Sequence, residues 1–140
     1  KDIFQYYGLG CRSVTKLYLP YGFNKDRLFK AFYDYKEVIN HNKYMNNYEY
    51  NKAIFLLQKV EFLDNGFLLL KEDSNLFSPI GVLHYECYND LEKLNNKLKG
   101  FSEDIQCRVG TGGIPFGSAQ KPKLWDYADG VDTLEFLSSK

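Results

Sequence analysis

The stretch Ile80-Gly81-Val82-Leu83-His84-Tyr85-Glu86 decides the fold. Apolar and aromatic side chains dominate it, and the turn signal Ser78-Pro79 stands directly before it. A short apolar run that is bounded by turn residues is typical of a buried strand. We therefore expect a central strand of a sheet over residues 80–86.

Helical patterns lie on both sides of this strand along the chain. After it, Asn89 or Asp90 is a suitable N-cap, and Gly100 is a suitable end for a helix. That helix carries its leucines on one stripe, at Leu91, Leu94 and Leu98. Before the strand, we expect one helix that follows an N-cap at Asn24 and a second over roughly residues 48–59.

Shorter strand patterns alternate with these helices. The turn signal Asp64-Asn65-Gly66 predicts a hairpin, and Pro20 closes the first strand. The predicted strands cover residues 16–19, 67–71, 105–109 and 131–137, with a turn over residues 126–130 before the last one. Alternating strands and helices predict an α/β domain with a mainly parallel sheet flanked by helices.

Composition limits the classes of function. The chain has 140 residues, which suits a single domain over residues 1–140. Lys plus Arg and Asp plus Glu both number 18, so no net charge favours nucleic acid or an anionic membrane as partner. No apolar run is long enough to span a bilayer. The first residue is Lys1 and not Met, which suggests an excised part of a longer cytoplasmic protein.

The cysteines argue for a reducing compartment. Their number is three, at Cys11, Cys87 and Cys107, with no Cys-x-x-Cys pair that would favour structural zinc. Cys87 and Cys107 are expected to pack as small apolar residues. Cys11 differs because it directly follows the Gly8-Leu9-Gly10 step.

Cys11 is the candidate nucleophile. Glycines allow backbone conformations and close approaches that a β-carbon would block, so a thiol behind them can be presented to a substrate. The backbone N–H of Cys11 would be one oxyanion donor. The alternative is a cysteine that is merely packed in a tight turn. A Cys–His pair is also conceivable, but His84 is expected to be structural and His41 to lie at the surface.

Three motifs, taken together, resemble the aldehyde dehydrogenase superfamily. The first is Gly-Leu-Gly-Cys-Arg-Ser over residues 8–13, followed by a strand and a helix. The second is Leu76-Phe77-Ser78-Pro79-Ile80, which is similar to the Glu-x-Phe-Gly-Pro stretch of the superfamily. The third is Ile114-Pro115-Phe116-Gly117, which is similar to its late Pro-Phe-Gly motif.

Longer runs resemble the LuxC-type acyl-CoA reductases more closely. These runs are the Gly-Leu-Gly-Cys-Arg step, residues 64–72, residues 115–120 and residues 124–133. The resemblance implies a three-layer aldehyde-dehydrogenase-like catalytic domain. It also implies that the chain is the cysteine-bearing part of an enzyme that reduces fatty acyl-CoA, or another acyl thioester, to fatty aldehyde with NADPH.

The resemblance also assigns site residues. Cys11 would carry the acyl group as a thioester, with Gly10 keeping its loop open. Arg12 would help to hold the thiolate, because a nearby cation stabilises it; the alternative for Arg12 is a surface or structural salt bridge. Asn75 and Phe77 would contact the cofactor, and Phe116 would contact the substrate. Asn75 stands where the superfamily has a glutamate that contacts the cofactor ribose.

The dinucleotide-binding part of the superfamily precedes the cysteine and has no counterpart in this chain, nor has its oxyanion-hole asparagine. The chain alone is therefore expected to lack reductase activity. The resemblance further implies an acyl-protein synthetase as a possible partner and possible homo-oligomers formed through residues 114–137. The alternatives are a cysteine-dependent acyltransferase or thioesterase, and a non-catalytic interaction domain.

Overall fold

The computed structural model describes residues 1–127 and 130–139. Its helices are α1 (Asp26–Phe32), α2 (Asn42–Leu57), α3 (Leu91–Lys99) and α4 (Thr133–Ser138), with 3-10 segments at Gln5–Gly8 and Tyr33–Asn40. Its strands are β1 (Lys16–Pro20), β2 (Leu63–Asp64), β3 (Leu69–Glu72) and β4 (Val82–Tyr88). No helix in these described residues combines the length and the apolar character that crossing a lipid bilayer requires.

The strands form one sheet in the order β1-β4-β3-β2. Strand β4 pairs in parallel with both β1 and β3, whereas β2 pairs antiparallel with β3 at the edge. The prediction of a mainly parallel α/β sheet with a central strand near residues 80–86 is therefore confirmed. The hairpin at Asp64-Asn65-Gly66 is confirmed as well.

The core lies around β3 and β4. Leu69, Leu70 and Leu83 have no exposed surface, and Leu68 is almost as deeply buried. Burying each such leucine stabilises the fold by about 1.5–3 kcal/mol. Helix α2 contributes Tyr44, Tyr48 and Phe55 to this core, and Tyr44 donates its hydroxyl to the Phe67 carbonyl at 2.9 Å.

Several predicted helix boundaries are confirmed and others are wrong. Helix α3 has Asp90 as its N-cap, whose side chain accepts from the backbone of Glu92 and Lys93, and Gly100 as its C-cap. Helix α1 begins at Asp26, and the Asn24 side chain accepts from the backbone N–H of Asp26 at 2.8 Å, so the prediction that Asn24 caps this helix is confirmed, although Lys25 stands between them. Helix α2 begins at Asn42 and not near residue 48, because His41 caps it and the polar residues that follow continue the helix.

Two predicted strands are absent from the described residues. Residues 105–109 form no strand, and Val109 makes only an isolated bridge with Ile114. Residues 131–137 contain α4, because the Asp132 side chain accepts from the backbone of Leu134 and Glu135 and so begins a helix. Of the turn expected over residues 126–130, Ala128 and Asp129 lie outside the described residues.

The connection between β3 and β4 is a loop over residues 73–81 and not a helix. This loop ends at Gly81, which has φ +81°. A β-carbon at Gly81 would lie 2.8 Å from the Cα of Tyr48, so glycine lets α2 approach the start of β4. The loop carries Asn75 and Phe77, two of the predicted site residues.

Candidate functional site

Cys11 lies at a corner position of a tight turn. The turn is closed by the Ser13 backbone N–H, which donates to the Gly10 carbonyl at 2.9 Å. The thiol is free and exposed. No backbone hydrogen bond of the described residues uses the N–H of Cys11, so this donor is open in the sense that no backbone carbonyl of those residues accepts from it.

The approach to this turn is strained. Tyr6 and Tyr7 have φ of +55° and +58°, and Gly8 follows with +72°. Left-handed conformations cost about 1–2 kcal/mol for a residue with a β-carbon. The Tyr7 ring stacks on His41 with ring centroids 3.8 Å apart, a contact that holds this segment against the start of α2.

A buried carboxylate joins the N-terminal segment to a distant turn. Asp2 accepts from the backbone N–H of Gly117 at 2.6 Å and from that of Ala119 at 3.1 Å. Its own carbonyl accepts from the N–H of Val14 at 3.0 Å. Because Asp2 is buried, these charge-assisted bonds fix the turn at residues 117–119 beside the cysteine turn.

Arg12 reinforces the same junction. Its Nε donates to the Ala119 carbonyl at 2.7 Å, and its guanidinium lies 3.7 Å from Asp126. Arg12 is buried, and its guanidinium acts electrostatically on the Cys107 thiol. Burial raises the pKa of the Cys107 thiol, and the Arg12 guanidinium acts in the opposite direction. The structure thus places Arg12 as a clamp on residues 107–126.

Gln120 completes the contact between the two turns. Its Nε2 donates to the Ser13 hydroxyl at 3.1 Å. A β-carbon at Gly10 would lie 2.4 Å from this nitrogen, so the carboxamide rests directly on the glycine. Gly10, predicted to keep the loop open, is therefore covered on one side by Gln120.

The loop that carries Asn75 and Phe77 is held by Lys16 of β1 and by Thr15 directly before it. Lys16, whose side chain is buried, donates to the carbonyls of Asp73 at 2.9 Å and Ser74 at 2.7 Å, and also bonds Glu86. Thr15 donates its hydroxyl to the Leu76 carbonyl at 2.9 Å. The loop backbone is therefore fixed while the side chains of Asn75 and Phe77 stay exposed.

His84 is structural, as predicted. It is buried, and its Nδ1 lies 3.2 Å from the Asn75 carbonyl, so Nδ1 carries the proton. Its Nε2 lies 4.0 Å from the carboxylate of Asp73. Burial lowers the pKa of His84 and outweighs this neighbouring charge. Within the described residues, neither His84 nor His41 is hydrogen-bonded to Cys11.

The remaining predicted residues are exposed or lie elsewhere. Phe116 is 83% exposed, and its ring edge covers Gly110. Cys87 is exposed in β4, so the prediction that it packs as an apolar residue is wrong. Among the described residues, no three acidic, histidine or cysteine side chains are grouped closely enough to hold a metal ion.

A small cavity lies between the cysteine segment and the start of β4. Its volume is about 30 Å³, and its lining includes Gly8, Ser13, Ser78 and Gly81. That volume admits roughly one water molecule. The cavity is therefore too small for a ligand larger than about one water molecule.

Sequence reasoning missed Asp2 and the role of Gln120. Neither lies in a local pattern that points to a site, because their partners are more than 100 residues away along the chain. The small residues Gly117-Ser118-Ala119 predict a tight turn. The backbone N–H groups of such a turn need a hydrogen-bond acceptor, and this need is the one signal in the sequence that points to a partner such as Asp2.

Comparison of the chain with models of known protein families, with characterised proteins and with solved structures gives no match. The site must therefore be interpreted from its own geometry.

Proposed function

We propose that this chain is the catalytic, cysteine-bearing part of a LuxC-type acyl-CoA reductase with an aldehyde-dehydrogenase-like fold. In this proposal, Cys11 accepts a fatty acyl group from acyl-CoA. An acyl-protein synthetase is an alternative source of the acyl group.

One observation carries the proposal: two separate parts of the resemblance meet at an exposed thiol. Gly117, Ala119 and Gln120 contact the segment that bears Cys11 through the bonds of Asp2, Arg12 and Gln120. A purely local likeness would not require these parts to be in contact. The exposed thiol of Cys11 and its open backbone N–H add the two groups that acyl transfer needs.

The chemistry follows from these groups. The Cys11 thiolate attacks the carbonyl carbon of the acyl-CoA thioester, and the backbone N–H of Cys11 donates to the oxygen that becomes negative. The carbon–sulfur bond to CoA then breaks, CoA leaves as a thiolate that takes up a proton, and an acyl-Cys11 thioester remains.

The two residues that we propose to contact the cofactor supply groups for only part of NADPH. Asn75 and Phe77 present an amide and an aromatic ring on a fixed loop, which suits contact with the nicotinamide end. The sequence has no Gly-x-Gly-x-x-Gly stretch for the diphosphate, so this proposal assigns the rest of the cofactor to a preceding domain. When bound, NADPH supplies the hydride that reduces the acyl thioester to aldehyde.

The test is acylation of the thiol. We expect incubation with palmitoyl-CoA to add one acyl group to Cys11, located by peptide mass spectrometry. Cys11→Ser should remove the adduct. Cys87→Ser is the matched control, because it also replaces an exposed thiol, and it should leave the adduct unchanged.

The products separate the alternatives. In the whole enzyme, release of aldehyde only on addition of NADPH supports the reductase. Release of free acid or transfer of the acyl group would instead select a thioesterase or an acyltransferase. Absence of any adduct on Cys11 would contradict the proposal and favour a non-catalytic interaction domain.

A further inference from the structure

The carboxamide of Gln120 spans the turn that presents Cys11. It rests on Gly10, where an added β-carbon would lie 2.4 Å from Nε2 and 2.9 Å from Oε1. It also donates to the Ser13 hydroxyl at 3.1 Å. Cys11 stands between these two contacts in the chain, so the carboxamide braces the turn from one side.

Buried groups fix the backbone that leads into Gln120. The residues before it are fixed by Asp2, which accepts from Gly117 and Ala119, and by Arg12, which donates to Ala119. Asp2 and Arg12 are both buried. The backbone that leads into Gln120 is therefore anchored, and only its side-chain torsions remain to be ordered.

We propose that Gln120 is a positioning residue for Cys11. It holds the turn over residues 10–13 so that the thiol and the backbone N–H of Cys11 face an incoming acyl group together. Its part in acyl transfer rests on the function proposed above, whereas its contact with the turn does not. The neutral carboxamide suits this position, because it orders the turn without adding charge beside a thiolate.

The first experiment tests the proximity of Gln120 to Cys11 without any acyl substrate. The rate of alkylation of Cys11 by iodoacetamide is measured against pH, with each cysteine followed separately by peptide mass spectrometry. Gln120→Glu keeps the shape of the side chain but adds a negative charge that disfavours the nearby thiolate. We expect the midpoint of the Cys11 curve to rise by about 1 pH unit.

The controls keep every other charge in place. Lys1, Asp2, Arg12, Cys107 and Asp126 face this region and are unchanged in the variant. The curve for Cys87 should not move. Gln58→Glu changes an exposed glutamine at the far end of α2 and should leave the Cys11 midpoint in place. An unmoved midpoint in Gln120→Glu would overturn the inference.

The second experiment tests positioning. Gln120→Ala removes the brace, and Gly10→Ala displaces the carboxamide while leaving Gln120 intact. Both variants should lower the maximal rate of Cys11 acylation by palmitoyl-CoA about tenfold, because misplacement of a reacting group by a fraction of an ångström has effects of this order. The half-saturating concentration should not change, since the role proposed for Gln120 is to hold the turn and not to bind CoA.

The two proposals fail differently. If acylation proceeds and neither variant slows it, the positioning role is wrong and the proposed function stands. In another outcome, neither the native chain nor any variant is acylated, but Gln120→Glu still moves the alkylation midpoint of Cys11. The proposed function then fails, and the contact of Gln120 with the cysteine turn stands.

Discussion

Two glycines at strand ends and turns illustrate how single residues are constrained in this protein. Gly81 and Gly66 both have left-handed backbones, with φ of +81° and +91°. They differ in their surroundings, since a β-carbon at Gly81 would meet the backbone of Tyr48, whereas nothing lies within 4 Å of one at Gly66. The pair therefore separates backbone strain from steric exclusion.

We expect Gly81→Ala to lower the free energy of unfolding by about 3 kcal/mol or more, which combines left-handed strain with overpacking against α2. Gly66→Ala should cost only the strain, about 1–2 kcal/mol. Urea denaturation followed by circular dichroism measures both. Equal losses of stability in the two variants would show that the contact with Tyr48 adds nothing to the cost of an alanine at position 81.

Asp2 lies almost at the start of the chain, yet we expect it to contribute more to the stability of the fold than this position suggests. Asp2→Asn keeps the shape but removes the charge from two bonds to backbone N–H groups. We expect a loss of about 1.5–3 kcal/mol in the free energy of unfolding, measured by urea denaturation. Asp104→Asn, at an exposed aspartate, should change stability by less than about 0.5 kcal/mol. A stability of Asp2→Asn equal to that of this control would contradict the clamp.

At the scale of elements, the loop over residues 73–81 depends on a polar row across the sheet. Lys16, His84 and Lys71 are aligned on neighbouring strands by the register of β1, β4 and β3. Asp73 follows β3 and bonds Lys71, with its carboxylate 2.6 Å from the lysine nitrogen. The bond to Lys71 lowers the pKa of Asp73 to about 2.

This row predicts a stability that falls in acid. Burial lowers the pKa of His84 in the folded state, so the unfolded chain takes up a proton first as the pH falls below about 6.5. Stability is therefore fully present above that pH and decreases as the pH falls through the pKa of the folded His84. Asp73 adds a further loss between about pH 4 and 2.

Urea midpoints measured from pH 8 to 5 test this prediction. The native chain should keep its stability from pH 8 to about 6.5 and lose it below that pH. His84→Gln should show a flatter profile, because it removes the group that the unfolded state protonates. A native profile that rises towards pH 5 would show that the Asp73 charge outweighs burial.

At the scale of the whole molecule, several of the most exposed apolar side chains lie in the last part of the chain. Leu124 is 93% exposed, Trp125 66% and Leu134 77%. Phe136 and Leu137 are exposed as well. Apolar residues that cluster at a surface form patches to which apolar ligands and dyes bind.

We expect the chain to bind the dye ANS and the double variant Leu124→Ser/Leu134→Ser to bind it distinctly less. Leu56→Ser/Leu57→Ser removes a similar amount of exposed apolar surface at the end of α2 and should reduce the fluorescence less. Circular dichroism confirms that each variant is folded. Equal reductions in the two double variants would show that the later residues form no common patch.

The sequence determined those parts of the fold that local chemistry specifies. Apolar runs between turn residues specify β1 and β4, the Asp-Asn-Gly turn specifies the β2–β3 hairpin, and Asp90 with Gly100 sets the limits of α3. Cys11 is a candidate from the sequence alone, because its glycines and its place before a strand are adjacent to it in the chain. The weak alternation over residues 131–137 predicted a strand wrongly, because the N-cap at Asp132 begins a helix there.

Only the tertiary structure decided what surrounds Cys11. Asp2, Arg12 and Gln120 reach partners more than 100 residues away, and no local pattern encodes such contacts. Arg12 illustrates this difference. Its position next to Cys11 in the sequence suggests a cation that stabilises the thiolate, whereas its bonds in the folded chain make it a clamp on residues 107–126. The physical reason for these long-range contacts is the free-energy cost of burying a charge without a partner. A buried charge is therefore paired with whichever groups the folded chain brings next to it.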